Sequence, residues 1–295
     1  VDHSNLCMDG ATDAVAYRND RLVMRVRPLD NGAEAAVNTA ANALYGTGGT
    51  PIDYVGSIER ITFPKPPSGP EFDHVLSISL LLRPNGEAHE VLRLARRLRS
   101  ETGRKTSPDY VVGSSGHNSF YQPNGHPRWA AGPTPPRDVP IGSDVKFVVY
   151  DTGLDQSNPS DLANTTMLSP NDNELVNRVR NDGDSLMVDY PHAGHGKAIT
   201  GVINTIAPGA SVQHVRINER SGLATEVSAT RGMASSLRTL KRWDYPDLMI
   251  NAFATAACDV DTANPLAGVL QPIGLEVVVE VVDRFDPHLP GGMLI

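Results

Sequence analysis

The sequence lacks the features that mark several functional classes. Its 295 residues include 2 cysteines, Cys7 and Cys258, which are too few for a disulfide framework and too far apart for a metal-binding pair. Lysine and arginine number 26 against 34 acidic residues, a net charge of −8, which argues against a general nucleic-acid or anionic-membrane binder. No apolar run approaches the ~20 residues that cross a bilayer. We therefore expect no nucleic-acid partner and no membrane partner.

The N-terminal residues say little about the cellular compartment. Residues 1–4 (VDHS) have neither the basic nor the apolar region of a signal peptide. The scarcity of cysteine slightly favours a reducing compartment such as the cytoplasm. The first residue is not methionine, so secretion of a trimmed protein stays open. The oligomeric state is not indicated by any pattern in the chain.

The first part of the chain, residues 1–121, has the pattern of a small α/β unit. Three segments alternate apolar and polar residues as strands do, and two have helical spacing of their apolar residues. The predicted strands are 21–26, 58–63 and 74–82, and the predicted helices are 34–44 and 87–101. Residues 122–141 are rich in proline and glycine, which predicts a linker rather than a folded core.

Strand and helix patterns alternate over residues 142–295. The predicted strands are 144–150, 211–217, 247–253 and 274–282, and the predicted helices are 195–206 and 228–242. This alternation predicts a parallel sheet with helices on its faces, whose ligands bind at the carboxyl ends of the strands. Ser228 is the expected N-cap of the second helix. The first helix carries one charged residue, Lys197, so we expect it to be buried nearly all round.

Two residues are candidate catalytic groups. Asp151 ends the strand pattern in segment 148–153 (VVYDTG), which places it at the carboxyl edge of the sheet. His195 lies between two glycines at the start of the apolar helix. An aspartate beside an imidazole orients the ring and stabilises its protonated form, so the two residues predict an acid–histidine dyad. Taken singly, the aspartate also fits a loop cap and the histidine a structural residue.

The segments around these two residues resemble known protease motifs. Residues 193–215 (AGHGKAITGVINTIAPGASVQHV) closely resemble the histidine motif of subtilisin-like serine proteases, which reads H-G-T-x-x-A-G, then a helix, then A-P-x-A and a strand. Residues 148–153 resemble the aspartate motif of that family. Residues 246–251 resemble the strand before its substrate-binding segment, and residues 274–282 the strand leading to its oxyanion asparagine. The order of the motifs, aspartate then histidine, is the order in that family.

The resemblance covers about residues 144–295 and carries several implications. It implies a subtilisin-like α/β fold, with a parallel sheet and helices on both faces, in residues 142–295. It implies hydrolysis of peptide bonds in a protein or peptide substrate by an Asp-His-Ser triad, with Asp151 as the orienting acid and His195 as the general base. By the same likeness, residues 1–121 would form a propeptide, although an unrelated appended domain fits their sequence nearly as well.

Four departures from the family pattern bear on activity. No Gly-Thr-Ser-x-Ala segment occurs in the chain, so we expect a catalytic domain that is incomplete beyond Ile295 and lacks its serine nucleophile. Lys197 replaces a small hydroxyl residue, and a cation there disfavours the protonated imidazole. Phe253 stands at the start of the strip that pairs with substrate, where its bulk would obstruct pairing. Residues 282–285 (VDRF) replace the Gly-Asn oxyanion donor, whose loss typically costs ~10²–10³ in rate.

Other functions are weaker fits to the sequence. The main alternative is a non-catalytic subtilisin-like homologue that binds peptides or a partner protein. Asp-Thr-Gly at 151–153 is also typical of aspartic proteases, but those chains are rich in β-structure. His192 and His195 have no matching acidic or cysteine partners, so we expect no metal centre and no cofactor. The acidic stretch 172–189 leaves room for a structural calcium ion, although a solvated loop is the simpler interpretation.

Overall fold

In the computed structural model, the described residues form two large sheets and four helices. The described residues are 17–45, 55–67, 71–81, 91–114, 141–154, 162, 164–168, 178–179, 186–187, 195–218, 223–240, 244–251 and 253–254. One large sheet is antiparallel and the other is parallel, and a separate pair of short strands accompanies them.

The N-terminal unit forms the main part of the antiparallel sheet. Its elements are β1 (Tyr17–Val26), α1 (Ala33–Tyr45), β2 (Val55–Ile61), β3 (His74–Leu80), α2 (Val91–Thr102) and β4 (Thr106–Ser114). The strands lie in the order β4-β1-β3-β2 and all neighbours are antiparallel. The β-α-β-β-α-β order of elements is that of ferredoxin-like units.

Both faces of this sheet are covered by apolar side chains. Alternate residues of a strand point to opposite faces. On one face, Leu22 and Leu76 pack with Val37 of α1 and Leu94 of α2. On the other face, Val23 belongs to a cluster that reaches into the second part of the chain. The N-terminal unit is therefore held by α1 and α2 on one side and by the rest of the protein on the other.

Strand β4 was not among the sequence predictions. Its sequence, TSPDYVVGS, contains a proline and an aspartate, which strands disfavour. Nevertheless β4 pairs along β1, with Pro108 opposite Leu22, and Tyr110 within it is fully buried. Tertiary pairing and burial outweigh the local preference here, so the N-terminal unit has one strand more than predicted.

The second part of the chain contains the parallel sheet. Its elements are β5 (Lys146–Asp151), β6 (Thr165–Met167), β7 (Arg178–Val179), β8 (Leu186–Met187), α3 (His195–Ile206), β9 (Ser211–Arg216), β10 (Leu223–Thr225), α4 (Glu226–Thr239), β11 (Leu248–Asn251) and β12 (Phe253–Ala254). The sheet has the order β11-β5-β9-β6 with parallel neighbours. The strand predicted at 274–282 lies outside the described residues.

Helices cover both faces of the parallel sheet, as the strand–helix alternation predicted. On one face Val149 and Val212 pack with Ile203 of α3. On the other, Tyr150 and Val215 pack with α4. The chain passes from β5 to β9 through α3 on one face and from β9 to β11 through α4 on the other, so the connections from the neighbouring strands β5 and β9 leave for opposite faces. Such a switch point is where α/β sheets bind ligands.

Two local predictions about the helices are wrong. Helix α3 is not buried all round, because Val202 is 56% exposed and Ile206 68% exposed. It lies against one face of the sheet, and the described residues cover only that side. Helix α4 begins earlier than predicted, with Thr225 rather than Ser228 as its N-cap. The Thr225 hydroxyl accepts from the Ser228 amide and the Ser228 side chain caps in return, which is a capping box.

The two parts of the chain share one sheet. The end of β4 pairs antiparallel with β10, which places Gly113 opposite Leu223. It also pairs with β12, which places Ser114 opposite Phe253. The last residues of the N-terminal unit therefore lie between two strands of the second part. Within the described ranges, no helix is long and apolar enough to traverse a membrane.

Candidate functional site

The structure brings the two candidate catalytic residues into direct contact. Nδ1 of His195 lies 2.8 Å from Oδ2 of Asp151 and 2.9 Å from Oδ1. A carboxylate has acceptors only, so Nδ1 carries the proton and donates it to this contact. In the uncharged ring, Nε2 on the opposite edge is then the basic nitrogen. This tautomer is the one that a general base needs.

Asp151 is held by its position at the end of β5. Its carbonyl accepts from the amides of Ile217 at 3.0 Å and Asn218 at 3.4 Å, in the chain that leaves β9. Its Oδ1 accepts from the amide of Thr152 at 2.5 Å. The side chain is fully buried. These contacts hold the backbone and the carboxylate of Asp151 independently of the imidazole.

His195 is placed by the start of α3. The amide of Gly196 donates to Oγ1 of Thr152 at 3.0 Å, which ties the helix to the end of β5. A Cβ at position 196 would lie 2.7 Å from Cε1 of His214, and closer still to the carbonyl oxygen of Thr152. Only glycine allows this approach. The glycine after the histidine is therefore part of the geometry that brings the imidazole to Asp151.

The surroundings of His195 raise the pKa of its imidazole. Burial by itself lowers that pKa, but the hydrogen bond and the negative charge of Asp151 outweigh burial, and the net pKa is above the ordinary 6.5. We expected Lys197 to disfavour the protonated ring. Lys197 is not among the causes of the shift, whose net direction is upward. The site thus stabilises the imidazolium that a general base forms transiently.

Two further polar residues lie behind the dyad and were missed in the sequence. His214 and Thr200 are both fully buried. Nε2 of His214 lies 2.6 Å from the carbonyl oxygen of Thr152, and its Nδ1 lies 3.2 Å from Oγ1 of Thr200. The sequence does contain a signal for the burial of His214. His214 lies two residues after Val212 in β9, so both side chains point to the same face of the sheet. The contact to Thr152 depends on the fold and has no sequence pattern.

Strands β10 and β12, which follow β9 and β11 along the chain, hold an extended segment of the chain itself. Val112 of β4 is buried against Ala224 of β10 and Ala229 of α4. On the other side, the backbone of Phe253 pairs with Ser114. The backbone at position 253 thus pairs with a strand of the same chain, and the expectation that Phe253 obstructs pairing with a substrate stays a prediction. The surface between β10 and β12 therefore accommodates an extended strand with hydrogen-bonding partners on both sides.

Several predictions concern residues that the structure does not describe. Residues 282–285, His192 and most of the acidic stretch 172–189 lie outside the described ranges. In the part of the chain that is described, His195 has no hydrogen bond to a hydroxyl or thiol side chain. In that same part, no three histidine, cysteine or acidic residues come together as a metal site would require. The expected absence of a metal and a cofactor stays a prediction.

Comparison with known proteins assigns no family to this chain. The resemblance to subtilisin-like proteases stays a prediction from the motifs around Asp151 and His195. No protein-family model matches the chain, and no curated protein matches it either.

Proposed function

We propose that this chain carries the acid–base part of a peptide-hydrolysing site of the subtilisin-like serine protease type. The observation that carries the proposal is the contact of Nδ1 of His195 with both carboxylate oxygens of Asp151. The pair lies at the carboxyl end of β5, next to the end of β9, and the connections from these two strands leave for opposite faces of the sheet. The motif order and the raised pKa of His195 point the same way.

The roles of the two residues follow from their protonation. Nε2 of His195 takes the proton of a serine hydroxyl as that oxygen attacks the peptide carbonyl. Asp151 stabilises the imidazolium without taking the proton itself, and the imidazolium then protonates the leaving amine. The serine is not identified in this chain, so the proposal covers the acid and the base and leaves the nucleophile to be located.

Strands β10 and β12 support a peptide as the ligand. An extended peptide binds a sheet edge by main-chain hydrogen bonds, with alternate side chains entering pockets. Segment β4 makes such pairings with β10 and β12, and Val112 enters an apolar site beside Ala224. In this proposal the N-terminal unit is a propeptide whose last strand occupies the substrate surface. The substrate is then an extended segment of a protein.

One observation favours a second function, a non-catalytic homologue that binds peptides or a partner protein. The sequence contains no Gly-Thr-Ser-x-Ala segment, and without a nucleophile covalent catalysis does not occur. The same strand-binding surface would then serve binding alone. The two functions share the Asp151–His195 geometry and differ in whether a serine reacts.

A fluorophosphonate probe, which labels activated serines, separates the two functions. The protein is expressed from its full reading frame as wild type, as His195→Ala, and as His74→Ala. His74 is a matched control because it is a mostly buried histidine in the N-terminal unit. We expect labelling of the wild type and of His74→Ala, and a loss of about 10⁴-fold or more in the labelling rate of His195→Ala. Absence of labelling and of peptide hydrolysis in the wild type would reject the protease and leave the binding protein.

A further inference from the structure

His214 lies in an unusual position for a histidine. It is on the central part of β9, opposite Val149 of β5, and it is fully buried. Burying a polar ring is costly unless both nitrogens have partners. Both have them here, in Thr152 at 2.6 Å and Thr200 at 3.2 Å. The imidazole is therefore retained in the core by two specific contacts.

The two contacts determine which nitrogen of His214 carries the proton. The partner of Nε2 is a carbonyl oxygen, which only accepts, so Nε2 is the donor. In the uncharged ring Nδ1 is then an acceptor, and the hydroxyl of Thr200 donates to it. Thr200 is part of α3, the helix that begins at His195. His214 thus bonds at one edge to the segment that follows Asp151 and at the other to the helix of His195.

Thr152 connects these contacts to the dyad. Its carbonyl oxygen accepts from His214, its hydroxyl accepts from the amide of Gly196, and its amide donates to Oδ1 of Asp151. A rotation of the backbone at Thr152 would therefore disturb the carboxylate contact and the contact to the start of α3 together. The hydrogen bond from Nε2 of His214 opposes such a rotation.

We propose that His214 is a positioning residue for the Asp151–His195 pair, acting through the carbonyl of Thr152. The residue does not touch substrate. It fixes the backbone of Thr152, whose amide contacts the carboxylate and whose hydroxyl contacts the start of α3. This role rests on the proposed function for its catalytic meaning, although its structural effect is measurable on the imidazole of His195 without any reaction.

Two substitutions separate the two bonds of His214. In His214→Gln the side-chain amide lies about where Nε2 was, so it still donates to Thr152. In His214→Asn the shorter side chain reaches only the position of Nδ1, so it accepts from Thr200 and loses Thr152. His74→Asn is the matched control, since His74 is a mostly buried histidine of the N-terminal unit. Thr200→Val is a milder test, because it removes only the hydroxyl that orients the ring.

The readout is the pKa of His195, followed by NMR of its Cε1 proton in the full chain. We expect His214→Asn to lower this pKa by about one unit, because a misaligned carboxylate stabilises the imidazolium less. His214→Gln and His74→Asn should keep the wild-type value, and Thr200→Val should lower it slightly. The fluorophosphonate labelling rate should fall about 10²-fold in His214→Asn, as expected for a misplaced catalytic group.

The outcomes distinguish this role from simple core packing. An unchanged pKa of His195 in folded His214→Asn, or equal shifts in the Asn and Gln variants, would overturn the proposal. If His214→Asn does not fold, an unchanged pKa in Thr200→Val overturns it. If the wild type is never labelled while the Asn and Gln variants still differ in the pKa of His195, the proposed function fails and the positioning role stands. If the wild type is labelled and the pKa of His195 is the same in all variants, the positioning role fails and the proposed function stands.

Discussion

At the scale of single residues, Gly196 determines how closely α3 approaches the end of β5. A Cβ added there would meet the carbonyl oxygen of Thr152 and lie 2.7 Å from Cε1 of His214. The neighbours are backbone and a ring held by two hydrogen bonds, so neither yields easily. Gly201 in the same helix has nothing within 4 Å of an added Cβ. Within α3, position 201 thus has space for a larger side chain and position 196 does not.

We expect Gly196→Ala to lower the free energy of unfolding by about 1–3 kcal/mol, the usual cost of overpacking. Gly201→Ala is the matched control. It should raise the free energy of unfolding by about 0.5–1 kcal/mol, because alanine is the better helix former. Urea unfolding of the two variants measures the difference. Equal effects of the two substitutions would show that the contacts of Gly196 do not constrain the helix.

A second residue-scale prediction concerns Asp151→Asn. The carboxylate raises the pKa of His195 against the lowering effect of burial, so its removal should leave burial dominant and bring that pKa below 6.5. The pKa of His195 is higher in the folded wild type than in the unfolded chain. The pair therefore stabilises the fold fully below pH 6.5, and this stabilisation is lost as the pH rises through the folded pKa.

NMR titration of the Cε1 protons measures the effect of Asp151→Asn, and His74 is the internal control. Burial, with Arg60 as a further cause, already lowers the pKa of His74. Asp151 is not among the causes of that shift, so the pKa of His74 should stay unchanged in the variant. In the variant, protonation of His195 should destabilise the fold below pH 6.5, the reverse of the wild type. A pKa of His195 that stays above 6.5 in the variant would contradict the assignment of Asp151 as its main partner.

At the scale of elements, the start of α4 is capped from two directions. Thr225 and Ser228 form the local capping box. From β4, Oδ1 of Asp109 accepts from the amide of Val227 at 2.9 Å. Burial raises the pKa of the Asp109 carboxyl despite the Val227 amide, the Thr225 hydroxyl and the nearby Arg21 and Arg18. The N-terminal unit thus supplies a buried acid to a helix of the second part.

We expect Asp109→Asn and Asp109→Ala to differ. Asparagine keeps an acceptor for Val227 without a buried charge, whereas alanine leaves that amide unpaired at a cost of about 1–3 kcal/mol. Since the folded pKa of Asp109 is raised, its proton-linked stabilisation is present at pH below about 3.8 and is lost as the pH rises through the folded pKa. As the pH rises, the free energy of unfolding of Asp109→Asn should therefore increase relative to that of the wild type. Free energies of unfolding of the two proteins, measured from below pH 3.8 upward, test this prediction. A difference between them that does not change with pH would contradict it.

At the scale of the whole molecule, one apolar cluster joins the two parts of the chain. It contains Val23 and Phe63 of the N-terminal unit together with Tyr150 and Leu237 of the second part. An ion pair between Glu59 and Arg231 also crosses the junction, but its side chains are 48% and 44% exposed. Exposed pairs contribute little, whereas apolar burial stabilises strongly. The cluster should therefore dominate the association of the two parts.

Leu237→Ala and Glu59→Gln test this ranking. We expect Leu237→Ala to cost about 2–5 kcal/mol in the free energy of unfolding, because Leu237 is 1% exposed. Glu59→Gln should cost at most about 1 kcal/mol. Because the cluster spans both parts, urea unfolding of the wild type should show a single transition. Two separate transitions, or a larger effect of Glu59→Gln, would contradict a shared core.

The sequence by itself determined the local order of this protein. The alternation around Val149 and Val212 specifies strands, the apolar spacing specifies α3, and the motifs name Asp151 and His195. These signals are local, since strand and helix periods are visible in a few neighbouring residues. The parallel sheet with helices on both faces followed from the alternation of elements along the chain.

Only the tertiary structure decided which distant residues meet. The pairing of β4 with β1 overrides an unfavourable Pro108 and Asp109, and the end of β4 lies between β10 and β12. The hydrogen bond from the Val227 amide to Asp109 joins residues 118 apart, and that from His214 to Thr152 joins residues 62 apart. Such contacts depend on burial and on polar groups finding partners inside the folded core, and neither leaves a pattern in neighbouring residues. The physical reason is that local periodicity sets the elements, whereas long-range packing sets the site.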